Sequence, residues 1–394
     1  MAVFGERLFL SFYKDSGIPA TLVWLPTSGT STAPPTLAPF PSWELHKNDN
    51  CDSIQSAKGM ETDTDGRLWV LDQGSKKCPG KLWLFDLLYN DTIERVHQFP
   101  ARVISPSFNE RLLLDIVLDN SPDDNLAYIT DSDSAHIIVY SRKRDKSWSV
   151  KTPGRKWYSL ALSANREARR LYLGRYGSNE LYSISVSELK NEGGSAAVKL
   201  IGEWTKFNLY RMVIDNANVL YAAFYRQNYL SKWNISEPFR EQRFHEVGIL
   251  DSGRPFTLAL DTTNTLWMTE RNKSESGSSS FKLLEAAVGA KSYLFSTSTV
   301  STDVDETSEQ QEITESSLRY KSTPPPSLKT IETQSLLGVF FINPSPRSQF
   351  IGQTQQRSQS LISLPFLILL QTCHCVADPE NGKNVHFPGQ HTVF

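Results

Sequence analysis

The sequence predicts an all-β fold, a six-bladed β-propeller followed by a disordered carboxyl-terminal tail. Three observations carry this reading: a meander of short apolar runs in residues 51–86, recurrence of its central anchor along the chain, and a change of composition near residue 295. Within the meander, the runs 54–60, 68–71 and 82–85 are separated by the acidic turn 61–65 and by a loop closed by Cys78. Short runs of apolar and aromatic residues between Asp, Gly and Pro read as successive antiparallel strands. One such meander cannot bury both of its faces alone, so it needs copies of itself.

The copies are anchored by Leu followed closely by an aromatic residue just after a polar turn. They are Leu8-Phe9, Leu68-Trp69, Leu126 with Tyr128, Leu171-Tyr172, Leu220-Tyr221 and Leu266-Trp267. Their spacing, roughly 45 to 60 residues, is near the period of propeller blades. Runs such as 159–162, 212–214 and 257–260 precede the anchors, and runs such as 137–140, 181–184 and 230–233 follow them. Each copy is therefore a small sheet, and stacking such sheets radially covers both faces of each one. A β-sandwich, the alternative, leaves the repeat as accident.

Residues 1–293 are assigned to the propeller and 294–394 to the tail. The first blade reads as incomplete, because the chain opens almost directly on the strand 7–12 with no inner run before it; the segment 336–342 is the alternative source of that strand. From 295 to 360 Ser, Thr, Gln, Pro and Glu dominate, a composition that cannot bury enough apolar surface to offset ordering. The apolar run 361–370 is broken by Pro365 and falls short of the roughly 20 residues that span a bilayer.

A formal net charge of -2 gives no electrostatic reason to expect nucleic acid or an anionic membrane as partner. Four cysteines fall into two pairs. Cys51 and Cys78 bracket the opening strands of the first complete blade, where a disulfide would staple the loop; two free buried thiols are the alternative. Sequons at Asn90, Asn234 and Asn272 agree with secretion and glycosylation. Residues 1–13 lack a basic region, a long apolar core and a small-residue cleavage site, so the expectation is a secreted protein whose amino terminus is incomplete here.

Several phrases together resemble the yellow and major royal jelly protein family: Gly17-Ile18-Pro19-Ala20-Thr21-Leu22, Pro41-Ser42-Trp43-Glu44-Leu45-His46, Arg67-Leu68-Trp69-Val70-Leu71-Asp72, Leu126-Ala127-Tyr128-Ile129-Thr130-Asp131, and Val139-Tyr140-Ser141 with Lys146-Ser147-Trp148. The resemblance ends near Phe281-Lys282-Leu283-Leu284. It implies a six-bladed propeller independently of the repeat. It also implies binding of serotonin and catecholamines in the channel, as in some salivary members, or dopachrome conversion, reported for others.

The mouth of the central channel is the first candidate site, since ligand pockets favour concave, aromatic-lined places. Tyr158, Tyr210, Phe256 and Thr257 fall at or beside inner strands, and Glu270 and Arg271 follow the last anchor. Aromatic faces with a carboxylate suit a protonated aromatic amine. Where family members tend to carry Ser-Asn before a basic residue, this chain reads Thr269-Glu270-Arg271; Arg271 keeps the pattern, Glu270 departs from it, and an unpaired Arg271 pointing inward would repel an amine. Asp72, Asp131 and Asp133 follow anchor strands and are candidates for acid/base work, although Asp in that place is first a turn former. Cys373, His374 and Cys375 with His386 and His391 offer zinc ligands, but the spacing is not that of a finger and the reading is unstructured tail, with no metal and no cofactor. No Gly-x-Ser-x-Gly elbow, phosphate loop or His-Glu-x-x-His motif occurs. The expected function is a secreted binder of small aromatic amines or a cuticle-pigmentation protein; a dopachrome tautomerase and a structural or storage glycoprotein are the alternatives. Oligomeric state and catalytic residues are not legible.

Overall fold

The computed structural model describes residues 1–13, 19–28, 37–121, 123–154, 156–225, 227–244, 254–273, 279–295 and 328–329. They form six four-stranded antiparallel sheets, each a simple meander. Blade 1 is β1 (Ala2–Phe4), β2 (Arg7–Ser11), β3 (Leu22–Pro26) and β4 (Ala38–Pro39). Blade 2 is β5 (Ala57–Thr62), β6 (Arg67–Asp72), β7 (Lys81–Asp86) and β8 (Thr92–Gln98). Blade 3 is β9 (Leu113–Asn120), β10 (Asn125–Asp131), β11 (His136–Ser141) and β12 (Lys146–Lys151). Blade 4 is β13 (Ser159–Leu162), β14 (Arg170–Gly174), β15 (Glu180–Ser185) and β16 (Lys199–Glu203). Blade 5 is β17 (Leu209–Ile214), β18 (Val219–Phe224), β19 (Leu230–Asn234) and β20 (Gln242–Phe244). Blade 6 is β21 (Arg254–Leu260), β22 (Thr265–Lys273), β23 (Ser279–Ala287) and β24 (Leu328–Lys329). The inner strands touch in cyclic order, β1 to β5, β9, β13, β17, β21 and back to β1, which closes the propeller.

Each anchor lies on the second strand of its blade, and in three blades a repeated carboxylate holds it there. In blades 2, 5 and 6 the residue after the inner strand is Asp63, Asp215 or Asp261. Its Oδ1 accepts the backbone N–H groups two and four residues on: Asp65 and Arg67, Ala217 and Val219, or Thr263 and Thr265. Its Oδ2 accepts from the anchor ring itself, Trp69 at 2.9 Å, Tyr221 at 3.1 Å or Trp267 at 2.8 Å. The turn between needs one left-handed residue, and Gly66, Asn218 and Asn264 supply it at φ 81°, 66° and 69°. One side chain thus satisfies a tight hairpin and a buried ring polar atom together.

Two boundaries differ from the sequence reading. Blade 1 has an inner strand after all, the three residues of β1 paired to β2 from Ala2 with Phe9 to Phe4 with Arg7. It closes on blade 6 by packing: Met1, Val3, Leu8 and Leu25 share an apolar cluster with Ala259 and Trp267. At the other end, Leu294, Phe295 and β24 fall past the expected limit of the propeller. β24 pairs only with Glu285 and Ala286, a contact too short to leave a pattern. The remaining tail, including Cys373, His374, Cys375, His386 and His391, lies outside the described residues.

Cys51 and Cys78 are joined in a disulfide, as expected. The loop they staple is also held from beneath by Arg111, 1% exposed, whose guanidinium donates to the carbonyls of Gln73, Ser75, Cys78, Ser105 and Pro106. Replacing the blade 5 carboxylate, Asp215→Ala, strands two backbone N–H groups and the Tyr221 hydroxyl. The expected cost is about 3 kcal/mol, read as a lower urea midpoint at unchanged slope.

Candidate functional site: an aromatic mouth on an axial channel

The inner strands all begin at the same end of the axis, so residues at their starts converge on one mouth. A regular strand would send successive side chains to opposite faces, but here the pairing of the first two strands slips near that end in several blades. The slips lie between Ala57 and Met60, Leu209 and Arg211, and Pro255 and Thr257 on the inner strands, and opposite Thr130 in blade 3. Bulges of this kind re-aim side chains. Tyr210 and Phe256 are the residues skipped in blades 5 and 6.

The result is a row of rings across three adjacent blades. Tyr158 lies 5.7 Å from Tyr210, and Tyr210 lies 5.0 Å from Phe256, between ring centroids. Tyr176, exposed on the turn after β14, extends the row at 5.5 Å from Tyr158. Burial pushes the Tyr158 hydroxyl up from its ordinary range, and a hydrogen bond with Tyr210 opposes the shift. Thr257 stands half-buried beside Phe256. Of the residues expected at or beside inner strands, Tyr158, Tyr210 and Phe256 are brought together.

Below the rings, one buried carboxylate joins three blades. Asp115, 1% exposed on β9, pairs with Arg211 of β17 and accepts the Leu160 N–H at 2.9 Å and the Ser159 hydroxyl at 3.2 Å, both of β13. Ser159 in turn accepts the Met212 N–H at 3.0 Å. Gly59 makes the neighbouring approach possible: a Cβ there would stand 2.7 Å from the Leu114 carbonyl oxygen.

Deeper still, a small cavity is lined by Glu61, Val117, Ala161, Arg211, Leu258 and Tyr293, among others. Tyr293 forms its floor. The segment 289–295 leaves blade 6 and turns back over this end of the axis, where Lys291 bonds to Asn216 and the fully buried Tyr293 hydroxyl accepts the Leu118 N–H at 2.8 Å. The cavity is therefore covered at this end by Tyr293. Glu61, half-buried on β5, is a carboxyl group of this closed space. Burial pushes it up to about 7, with Arg211 pulling the other way. The acidic turn expected from residue 61 begins later: the strand runs on through Glu61, paired with Trp69, to Thr62.

The remaining candidates separate from this site. Glu270 is 1% exposed, opposite Pro255 and Lys282 in the sheet, and engaged within the fold. Arg271 and the sequon residue Asn272 are described by their backbone pairing alone. Asp72 spends its carboxylate on the N–H groups of Gln55, Ser56 and Gly74 and on the Trp83 ring; Asp131 accepts those of Leu112 and Asp133. Both are turn formers. Asp133 is exposed. Of the other sequons, Asn90 is exposed in a tight turn and Asn234 is partly exposed. Among the described residues no helix is long and apolar enough to cross a membrane.

Fold and site together define a six-bladed propeller with a row of aromatic rings at one end of its inner strands and a small cavity between those strands. Residues 55–157 and 154–279 match the family described as Major royal jelly protein, more than half of the chain, and the chain belongs to that family. It is similar to Protein yellow of Drosophila yakuba, 28% identical over 311 residues that cover 67% of this chain and 56% of that protein. Protein yellow of Drosophila melanogaster is 27% identical over the same shares of each chain. The chain thus spans little more than half the length of these relatives. A chain of the nidogen/laminin complex superposes with a TM-score of 0.49 at 12% identity, covering 72% of this chain and 89% of that one.

Ionised Glu61 is disfavoured in the fold, so stability falls as pH rises from its ordinary value of 4.5 through about 7. Glu61→Gln removes that loss. The variant is expected to exceed the parent by about 2 kcal/mol at pH 8, after discounting for channel water, and to match it near pH 4 in urea titrations.

Proposed function

We propose that this protein is a secreted binder of small aromatic amines, taken up through the ring-lined mouth of the channel. The observation that carries the reading is the row of Tyr176, Tyr158, Tyr210 and Phe256 at the starts of the inner strands that also line the Glu61 cavity. Ring faces attract both another ring and a cation. Asp115 is committed to Arg211 and β13, so the carboxyl group left for an ammonium is Glu61; binding a cation would pull it into its ionised form. The resemblance to amine-binding salivary members and the membership of the family support the same reading.

A second reading rests on Glu61 alone. A carboxyl group titrating near neutrality is suited to moving a proton on and off carbon, as conversion of dopachrome requires. A role in cuticle pigmentation is compatible with either chemistry.

The test is calorimetric titration of the full chain, secreted from insect cells, with serotonin, dopamine and octopamine. A saturable isotherm of one ligand per chain is expected, weakened about tenfold, or about 1.4 kcal/mol, by Tyr210→Ala, and weakened also by Glu61→Gln. Flat heats from folded protein would sink the amine reading. Turnover of dopachrome that is lost in Glu61→Gln would then favour the second.

A further inference from the structure

Blades 2 and 3 meet along a polar seam far from the channel mouth. His97, near the end of β8, is 8% exposed and reaches across to blade 3 with both ring nitrogens. Its Nδ1 lies 3.0 Å from Asp145 Oδ1 and its Nε2 lies 2.9 Å from Ser147 Oγ. The same Asp145 oxygen accepts the Tyr140 hydroxyl at 3.0 Å and lies 3.7 Å from the Arg95 guanidinium. The His97 ring packs 4.6 Å from Tyr140 and 5.5 Å from Phe99. On the β7 side its register partner is Leu82.

The order Ser147, His97, Asp145 is that of a hydrolase triad, but the chemistry does not follow. Ser147 is 1% exposed, facing the seam, so no acyl group can reach its oxygen. What the geometry does provide is a dependence on the charge of one ring. Beside an ionised carboxylate, neutral His97 donates from Nδ1–H to Asp145 and accepts the Ser147 hydroxyl proton at Nε2. A proton added at Nε2 removes that acceptor, and Ser147 must turn its own proton elsewhere in a buried seam. It also places a second cation beside Arg95 on a single carboxylate, between two aromatic rings and Leu82.

We propose that His97, with Asp145, Ser147 and Tyr140, is an acid-sensitive latch between blades 2 and 3, closed while the imidazole is neutral and loosened when it is protonated. Among the described residues, the charged groups facing the ring are Asp145, which favours protonation, and Arg95, which opposes it; Tyr140 is a further titratable neighbour. Burial outweighs Asp145 and holds His97 below its ordinary value of 6.5. The sign follows: the unfolded chain takes up this proton first, so the latch contributes fully above pH 6.5 and its contribution is lost as pH falls below that. Carboxylates elsewhere add their own acid dependence, which is why the comparison must be between variants.

The experiment is thermal unfolding of the full chain from pH 8 to pH 5, parent against His97→Gln, together with hydrogen-exchange protection of residues 146–151. The glutamine keeps a donor and an acceptor but cannot titrate. The parent is expected to lose several degrees more than the variant between pH 7 and pH 5, and at pH 5 its β12 amides are expected to lose protection that the variant keeps. Parallel curves, with equal protection, would overturn the latch. Should His97→Gln fail to fold, the histidine ring resonances of the parent and of Asp145→Asn decide instead. Loss of the anion is expected to move the His97 midpoint to lower pH by at least half a unit, and a parent midpoint at or above 6.5, or no movement in Asp145→Asn, refutes the proposal.

Discussion

In a propeller of separate meanders each wedge is built from its own stretch of chain, so the inner strands must hold one another. Asp115 does this for blades 3, 4 and 5. Its two oxygens draw in the Arg211 guanidinium, the Leu160 amide and the Ser159 hydroxyl, and Ser159 passes the connection on to Met212. A buried carboxylate left alone is costly, whereas one saturated by a charge and several N–H and O–H donors is a fixed point. The ring row sits directly above it. Tyr158 immediately precedes Ser159, and Tyr210 immediately precedes Arg211. The aromatic mouth is thus positioned by the residues that lock the blades, and the two cannot be altered independently.

Elsewhere the same economy recurs with different partners. The clamps at Asp63, Asp215 and Asp261 join a hairpin to its own anchor ring, and Arg111 gathers five carbonyls where the disulfide loop meets blade 3. Between blades 6 and 1, packing of Leu8, Leu25 and Trp267 serves. Apolar burial is non-directional, so it closes the ring without setting the angle as a carboxylate does.

The fold was legible because its signal is periodic. An anchor after a polar turn, repeated, survives any error in a single strand, and Leu68-Trp69, Leu220-Tyr221 and Leu266-Trp267 each lie where the repeat placed them. A fuller pattern was present and went unread: Asp, two residues, Gly or Asn, one residue, Leu, then Trp or Tyr, which spells the clamp in blades 2, 5 and 6. Tyr158, Tyr210 and Phe256 were legible because inner strands start together. Glu61 was not, because an acidic residue beside Thr62, Asp63 and Asp65 reads as part of a turn, and only pairing with Trp69 places it in the strand. His97 and Asp145 are 48 residues apart, and nothing local in either marks the other. Tyr293 belongs to no repeat at all.

That last residue bears on how any occupant of the channel would come and go. With Tyr293 seated against β9, a ligand taken up past the rings would also leave past them, so its entry and departure could not be tuned separately. A substitution that widens the mouth speeds both, leaving affinity less changed than residence time. A shift of residues 289–295, by contrast, would turn a well into a through-passage, with water able to reach Glu61 from below. The stretch of chain that leaves the last blade is in that sense a stopper.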